Sequence, residues 1–105
     1  MEISCEKNGD QTQMLVMGDM TVDQIKGQRD VFLQSLTFGQ HIDLDLMMVS
    51  EMDSAGLQLL ILLKREAELR GQQVHIAAQS MEVTDMLDLC GMTDAFAPPA
   101  NTVFC

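Results

Sequence analysis

The sequence predicts an α/β domain, and three neighbouring segments carry that expectation. Residues 41–46 alternate, with Ile42, Leu44 and Leu46 on one face and His41, Asp43 and Asp45 on the other, which is the period of a strand. Residues 54–70 carry Leu57, Leu60, Ile61 and Ala67 at helical spacing, widened by Leu59, Leu62 and Leu63, so this helix is expected to be deeply buried. Residues 74–78 read as a further strand. A strand, a helix and a strand in that order make a β-α-β unit with parallel strands and a right-handed crossover. At 105 residues, a single domain over 1–105 with its own core is expected.

The remaining elements follow in chain order. Residues 2–7 alternate weakly and end at Asn8-Gly9-Asp10, a turn signal, so they pair as a hairpin with residues 12–17. Met14, Leu15, Val16 and Met17 are apolar without alternation, the pattern of a strand covered on both faces. Gly18-Asp19-Met20 breaks that strand. Thr21 and Gln24 then form a capping-box pair for a helix through about Leu36, with Val22, Ile25, Phe32, Leu33 and Leu36 as its buried stripe and Phe38-Gly39 as its stop. Met47–Met52 reads as a methionine-rich loop, and Gly71 after Arg70 reads as a helix C-cap. Ser80 caps a short helix whose inner face is Val83, Met86, Leu87 and Cys90, closed by Gly91. Pro98-Pro99 ends regular structure, leaving residues 102–104 as a last edge strand or a loose tail.

Composition narrows the function classes. A formal net charge of −10 with only six Lys and Arg leaves too little positive charge to displace counterions from nucleic acid or to hold an anionic membrane surface. A basic protein surface is the natural partner for such a field. Aromatics make up only 4% of the chain while ten residues are Met, so the core is aliphatic and adaptable. The polar start of the chain carries no signal-peptide pattern and no apolar run is long enough to span a membrane. Cys5, Cys90 and Cys105 are an odd count without C-x-x-C spacing and read as thiols of a reducing cytoplasm, not as a disulfide frame or metal site. His41 and His75 fall on strands, and Asp43 and Asp45 on one strand face; a solvated face accounts for them as well as acid–base chemistry or a hard cation does. There is no phosphate-cradling glycine loop, so no nucleotide cofactor is expected, and with both histidines on strands, where a satisfied or surface imidazole is the commoner fate, catalysis is not expected either.

Asp53-Ser54-Ala55-Gly56-Leu57 is the most informative stretch. It opens the leucine-rich helix beyond the C-terminal end of a strand, where ligands and partners of parallel sheets gather. Asp53 or Ser54 can cap the helix. A phosphate added to Ser54 would meet the positive end of the helix dipole and several unpaired backbone donors.

These residues also resemble a known family. Asp45-Leu46, Val49 and Asp53-Ser54-Ala55-Gly56-Leu57 resemble the D-L-x-x-V-x-x-x-D-S-[SA]-G-L pattern of STAS domains of the anti-sigma factor antagonist type. Residues 64–71 look like that family's basic helix end and glycine. Ser80-Met81-Glu82-Val83 with Met86, Leu87, Leu89, Gly91 and Met92 look like its S-P-x-V-x-x-L-F-x-x-x-G-L helix. The likeness runs from about Gly18 to Phe96. It implies the STAS fold, a small mixed sheet of four or five strands packed with three or four helices. It also implies partner switching: the unmodified protein binds a serine kinase of the anti-sigma type, phosphorylation of the motif serine releases that partner, and a phosphatase resets the cycle. By motif position the phosphoacceptor is Ser54, with Asp53, Ala55 and Gly56 beside it and Thr21, Met48 and Met52 as further candidates for partner contact. Thr21 stands where members with established switching often carry an acidic residue. Ala55 replaces a second serine, and the family's final helix is expected to be short or missing. A constitutive STAS adaptor, docked on a transporter ATPase or in a chemosensory cluster without a phosphate cycle, is the alternative. The free cysteines and edge strands permit a homodimer.

Overall fold

Alternation of apolar and polar residues, more than any single propensity, decides which face of this sheet is covered. A computed structural model of the chain describes residues 1–34 and 40–96. Strands β1 (Glu2–Asn8) and β2 (Gln11–Met20) form the expected hairpin, and Gly9, with φ of 65°, supplies the left-handed step of its turn. Strand β3 (His41–Met52) lies parallel to β2, and β4 (Gln73–Gln79) lies parallel to β3, giving a four-stranded sheet in the order β1-β2-β3-β4. The register sets Met14 beside Leu44 and Leu44 beside Ile76, so one face is aliphatic from strand to strand. That face is buried, with Met14, Val16, Ile42, Leu44 and Leu46 all fully inaccessible. On the opposite face Leu15, Asp43, Asp45 and His75 are only partly covered. There His75 Nε2 lies 2.5 Å from Asp43 Oδ1. Residues 12–17 are therefore covered on one face only, because β2 keeps strict alternation from Gln11 to Val16.

Two strands run further than their sequence suggests. Gly18-Asp19-Met20 continues β2 and Met47–Met52 continues β3, so the methionine segment is strand and not loop. Register shifts between Leu15 and Met17 and between Gly18 and Met20 accommodate the extra length. They also explain why the alternation fades there.

The long early helix is instead two short ones, α1 (Val22–Ile25) and α2 (Arg29–Gln34). Gly27 between them has φ of 86°, a conformation that glycine adopts without strain and that a helix interior excludes. Phe32 is fully buried and Ile25 and Leu33 pack against the core, but Val22 is exposed. The capping box is absent: Thr21 occupies the N-cap position without a side-chain cap bond, and the Gln24 side chain accepts from the Met1 amino group at 3.0 Å. The expected helix end near Leu36 and its stop at Phe38-Gly39 lie outside the described residues. So do Pro98-Pro99, the possible strand at 102–104, the possible final helix and Cys105.

Helix α3 (Ser54–Leu69) buries Leu57, Leu59, Leu60, Leu63 and Ala67, with Gly71 past its end at φ of 73°. Each of those leucines contributes on the order of 2 kcal/mol by leaving water, so this helix anchors the covered face. Helix α4 (Met81–Leu89) starts at Ser80, whose Oγ accepts from the Val83 amide at 3.4 Å, and buries Val83 and Leu87. Met86, half-buried, packs against the core beside them as expected, whereas Cys90 is exposed and does not complete the inner stripe. A 3-10 turn at Thr93–Phe96 tucks Phe96 into the core.

Candidate functional site

The junction between β3 and α3 is held by one carboxylate. Asp53 has extended backbone and sits as the N-cap of α3; its Oδ1 accepts from the amides of Ala55 at 2.9 Å and Gly56 at 3.1 Å. Its Oδ2 accepts from the amide of Val22 at 3.0 Å. A single side chain therefore fixes the start of α3 and ties it to the start of α1, while the Asp53 amide donates to the Met20 carbonyl at 3.3 Å. The Val22 amide draws the Asp53 carboxyl below its ordinary pKa; partial burial opposes this, and the amides of Gly56 and Ala55 add to it.

Gly56 explains why the two helix starts can approach so closely. A Cβ on Gly56 would lie 2.2 Å from the Met20 carbonyl oxygen, so α3 rests directly on the backbone at the end of β2. Glycine is required there for space and not for a left-handed angle. This contact leaves Ser54, the first residue of α3, exposed on a platform that Asp53 and Gly56 hold from below.

The expected site residues divide accordingly. Thr21, Met52 and Asp53 come together, lining one trough of about 360 Å³ with Glu51, Glu82, Asp85, Met86 and Leu89. Met48 is exposed on β3 opposite Met17, four residues before Met52. Ala55 is half-buried, and Gly56 is buried, supporting the face from behind. The donors anticipated for a phosphate are largely engaged: Asp53 holds the Ala55 and Gly56 amides, and the Leu57 amide donates to the Asp53 carbonyl at 3.1 Å. A phosphate on Ser54 would sit beside a carboxylate and would not nest in free amides.

Sequence reasoning missed Val22 and Met20 as parts of the junction, since a backbone amide and a backbone carbonyl leave no trace in side-chain identity. It also missed the α4 wall of the trough. The signal was available there, because Glu82, Asp85, Met86 and Leu89 fall at i, i+3, i+4 and i+7. Among the described residues, no group of three or more His, Cys, Asp or Glu is placed to hold a metal ion, and no helix is long and apolar enough to cross a membrane. Cys5 and Cys90 are free thiols.

The family model described as Mlab, STAS domain, matches residues 3–98. The chain belongs to the STAS family. Solved structures agree with that fold. The chain is similar to the anti-sigma factor antagonist SpoIIAA in its unphosphorylated form, at 17% identity and a TM-score of 0.75, over 94% of this chain and 88% of that one. An anti-sigma factor antagonist from Mycobacterium paratuberculosis matches at 14% identity and a TM-score of 0.79, over 96% and 88%. The phosphorylated form of the Bacillus cell fate determinant SpoIIAA matches at 18% identity and a TM-score of 0.60, over 94% and 91%. At these identities the likeness establishes a shared STAS architecture. No curated protein matches the sequence.

Proposed function

We propose that this STAS domain is a non-enzymatic binding module. It docks a serine kinase of the anti-sigma type through the Ser54 end of the sheet and releases it when that kinase phosphorylates Ser54, a phosphatase restoring the docked form. The observation that carries the reading is an exposed serine at the first position of a long helix whose start is locked in place by Asp53 and Gly56. A hydroxyl on such a platform can be modified without disturbing the core. The added dianion would stand next to Asp53 and Glu51 in a chain already at −10. Its bulk, and the several kcal/mol on typical scales needed to desolvate it inside an interface, oppose docking. The likeness to anti-sigma factor antagonists in unphosphorylated and phosphorylated forms supports the same reading.

The test is intact-mass and peptide analysis of the protein from its own cells, followed by titration of the copurifying partner. Phosphate on Ser54, weakened binding by Ser54→Asp and retained binding by Ser54→Ala are expected. Wild-type affinity in both variants would remove Ser54 as the switch.

One observation favours a second reading, the constitutive adaptor. Because Asp53 already occupies the helix-start amides, a phosphate gains few hydrogen bonds there, and the same rigid face suits permanent docking to a larger assembly. Under that reading Ser54 stays unmodified while one partner copurifies in fixed ratio.

A further inference from the structure

Helix α4 shows two faces. Val83 and Leu87 enter the core, while Glu82, Asp85, Met86 and Leu89 form a separate stripe along one wall of the trough beside Ser54. Leu89 is 82% exposed, and Met81 at the start of the same helix is also exposed. The facing wall is Glu51, Met52 and Asp53 at the end of β3, with Thr21 beside them. The trough is thus lined by three apolar side chains, Met52, Met86 and Leu89, together with four carboxylates, and no Lys or Arg lines it.

We infer that this trough seats a basic amphipathic helix of a partner protein, lying alongside α4. The inference rests on the proposed docking role of the Ser54 end and adds the chemistry of the docked element. Charge complementarity selects the occupant. Apolar lining alone would accept any greasy segment, whereas four carboxylates in a chain of net charge −10 repel acidic segments, phosphates and anionic lipid. A helix fits the shape because the exposed stripe of α4 is itself a ridge at i, i+3, i+4 and i+7, against which a second helix packs. The nine residues of α4 offer roughly 13 Å of that ridge. Apolar side chains at helical spacing on the partner meet Met52, Met86 and Leu89, with Lys or Arg on its flanks. Asp53 keeps its three backbone amides, so Glu51, Glu82 and Asp85 take the cations.

The probe is a fluorescent peptide of about four helical turns with Leu along one face and Lys on both flanks. It is titrated into the full chain by anisotropy beside two controls: a peptide with Glu replacing each Lys, and one of the same composition interrupted by proline. The basic helical peptide is expected to bind at least about tenfold more tightly than either control, and more weakly as salt rises from about 0.05 to about 0.5 M. Leu89→Glu is expected to weaken it about tenfold with circular dichroism unchanged, since Leu89 is on the surface. Leu69→Glu, at an equally exposed leucine outside the trough, leaves binding intact. Equal binding of all three peptides, equal effects of Leu69→Glu and Leu89→Glu, or an equal loss on Glu6→Lys at the open sheet face overturns the inference. Binding of the basic peptide that survives Ser54→Asp supports the trough as a seat that charge at Ser54 does not control. Failure of the wild type to bind the basic peptide overturns the trough, while the switch is judged separately on the copurified partner.

Discussion

Two helix starts meet at one end of this sheet, and they are built in opposite ways. Helix α3 begins at Asp53, whose carboxylate takes three backbone amides, and it runs for 16 residues. Helix α1 begins at Thr21, whose hydroxyl takes none, and it stops after four. Both positions carry favoured capping residues, and Thr21 even has a glutamine three residues later. The difference lies in what already engages the groups at each start. The Gln24 amide, one that a Thr21 hydroxyl would cap, donates to the Thr21 carbonyl at 2.9 Å, the Gln24 side chain is engaged with the chain's amino group, and the Val22 amide is held by Asp53 from across the junction. A capping residue acts through geometry that the tertiary fold grants or withholds, and here one carboxylate serves both helices.

The sharpest way to break this contrast is Gly56→Ala. The new methyl would run into the Met20 carbonyl, costing about 3 kcal/mol, well beyond the ~1 kcal/mol that alanine gains over glycine inside a helix. Urea or thermal unfolding measures this directly. If Gly56→Ala unfolds at the wild-type midpoint, the close approach of α3 to β2 is not a constraint.

Asp53→Ala comes next. It removes a cap and the link to Val22 together, with an expected loss of about 2 kcal/mol. Hydrogen exchange should quicken at both Ala55 and Val22; quickening at only one would separate the two helix starts. The same carboxylate has a pH signature. Its folded-state pKa lies below the unfolded one, so its contribution is complete above about pH 4 and fades as pH falls through the depressed value. The stability gap between wild type and Asp53→Asn should therefore hold steady down to about pH 4 and narrow as pH falls further, the window that linkage assigns to a depressed carboxylate. A gap independent of pH would mean that the charge contributes nothing.

Thr21→Ala should be the mildest change, within about 0.5 kcal/mol of wild type, because its hydroxyl caps nothing. A loss near that of Asp53→Ala would show the two starts to be alike after all.

The parts of the fold that could be read in advance are those where side-chain pattern and backbone path coincide. Residues 41–46 alternate cleanly, and the structure places Ile42, Leu44 and Leu46 in the core. Helix α3 announces itself through its leucines and Gly71. What could not be read was decided by groups that do not vary with sequence. β2 and β3 run on through Gly18 and Met47 because bulges absorb the register, and a bulge erases the alternation that marks a strand. The early helix breaks at Gly27, whose left-handed angle is an option glycine always holds and seldom uses. At the site, Asp53 and Ser54 were legible as a helix start, but the Val22 amide and the Met20 carbonyl that complete it were not. Met48 and Met52 looked alike in sequence, yet Met48 is 59% exposed while Met52 packs against the core and lines the trough.

The contact between Gly56 and the Met20 carbonyl has one further consequence. With no side chain between helix and strand, α3 cannot slide or tilt at its first turn without lifting off the sheet. On the proposed reading, a phosphate on Ser54 would therefore act where it is attached and not through a shift of the domain. In a nuclear magnetic resonance spectrum, changes at this serine should stay confined to the amides of the two helix starts, with the far ends of β1 and α3 silent.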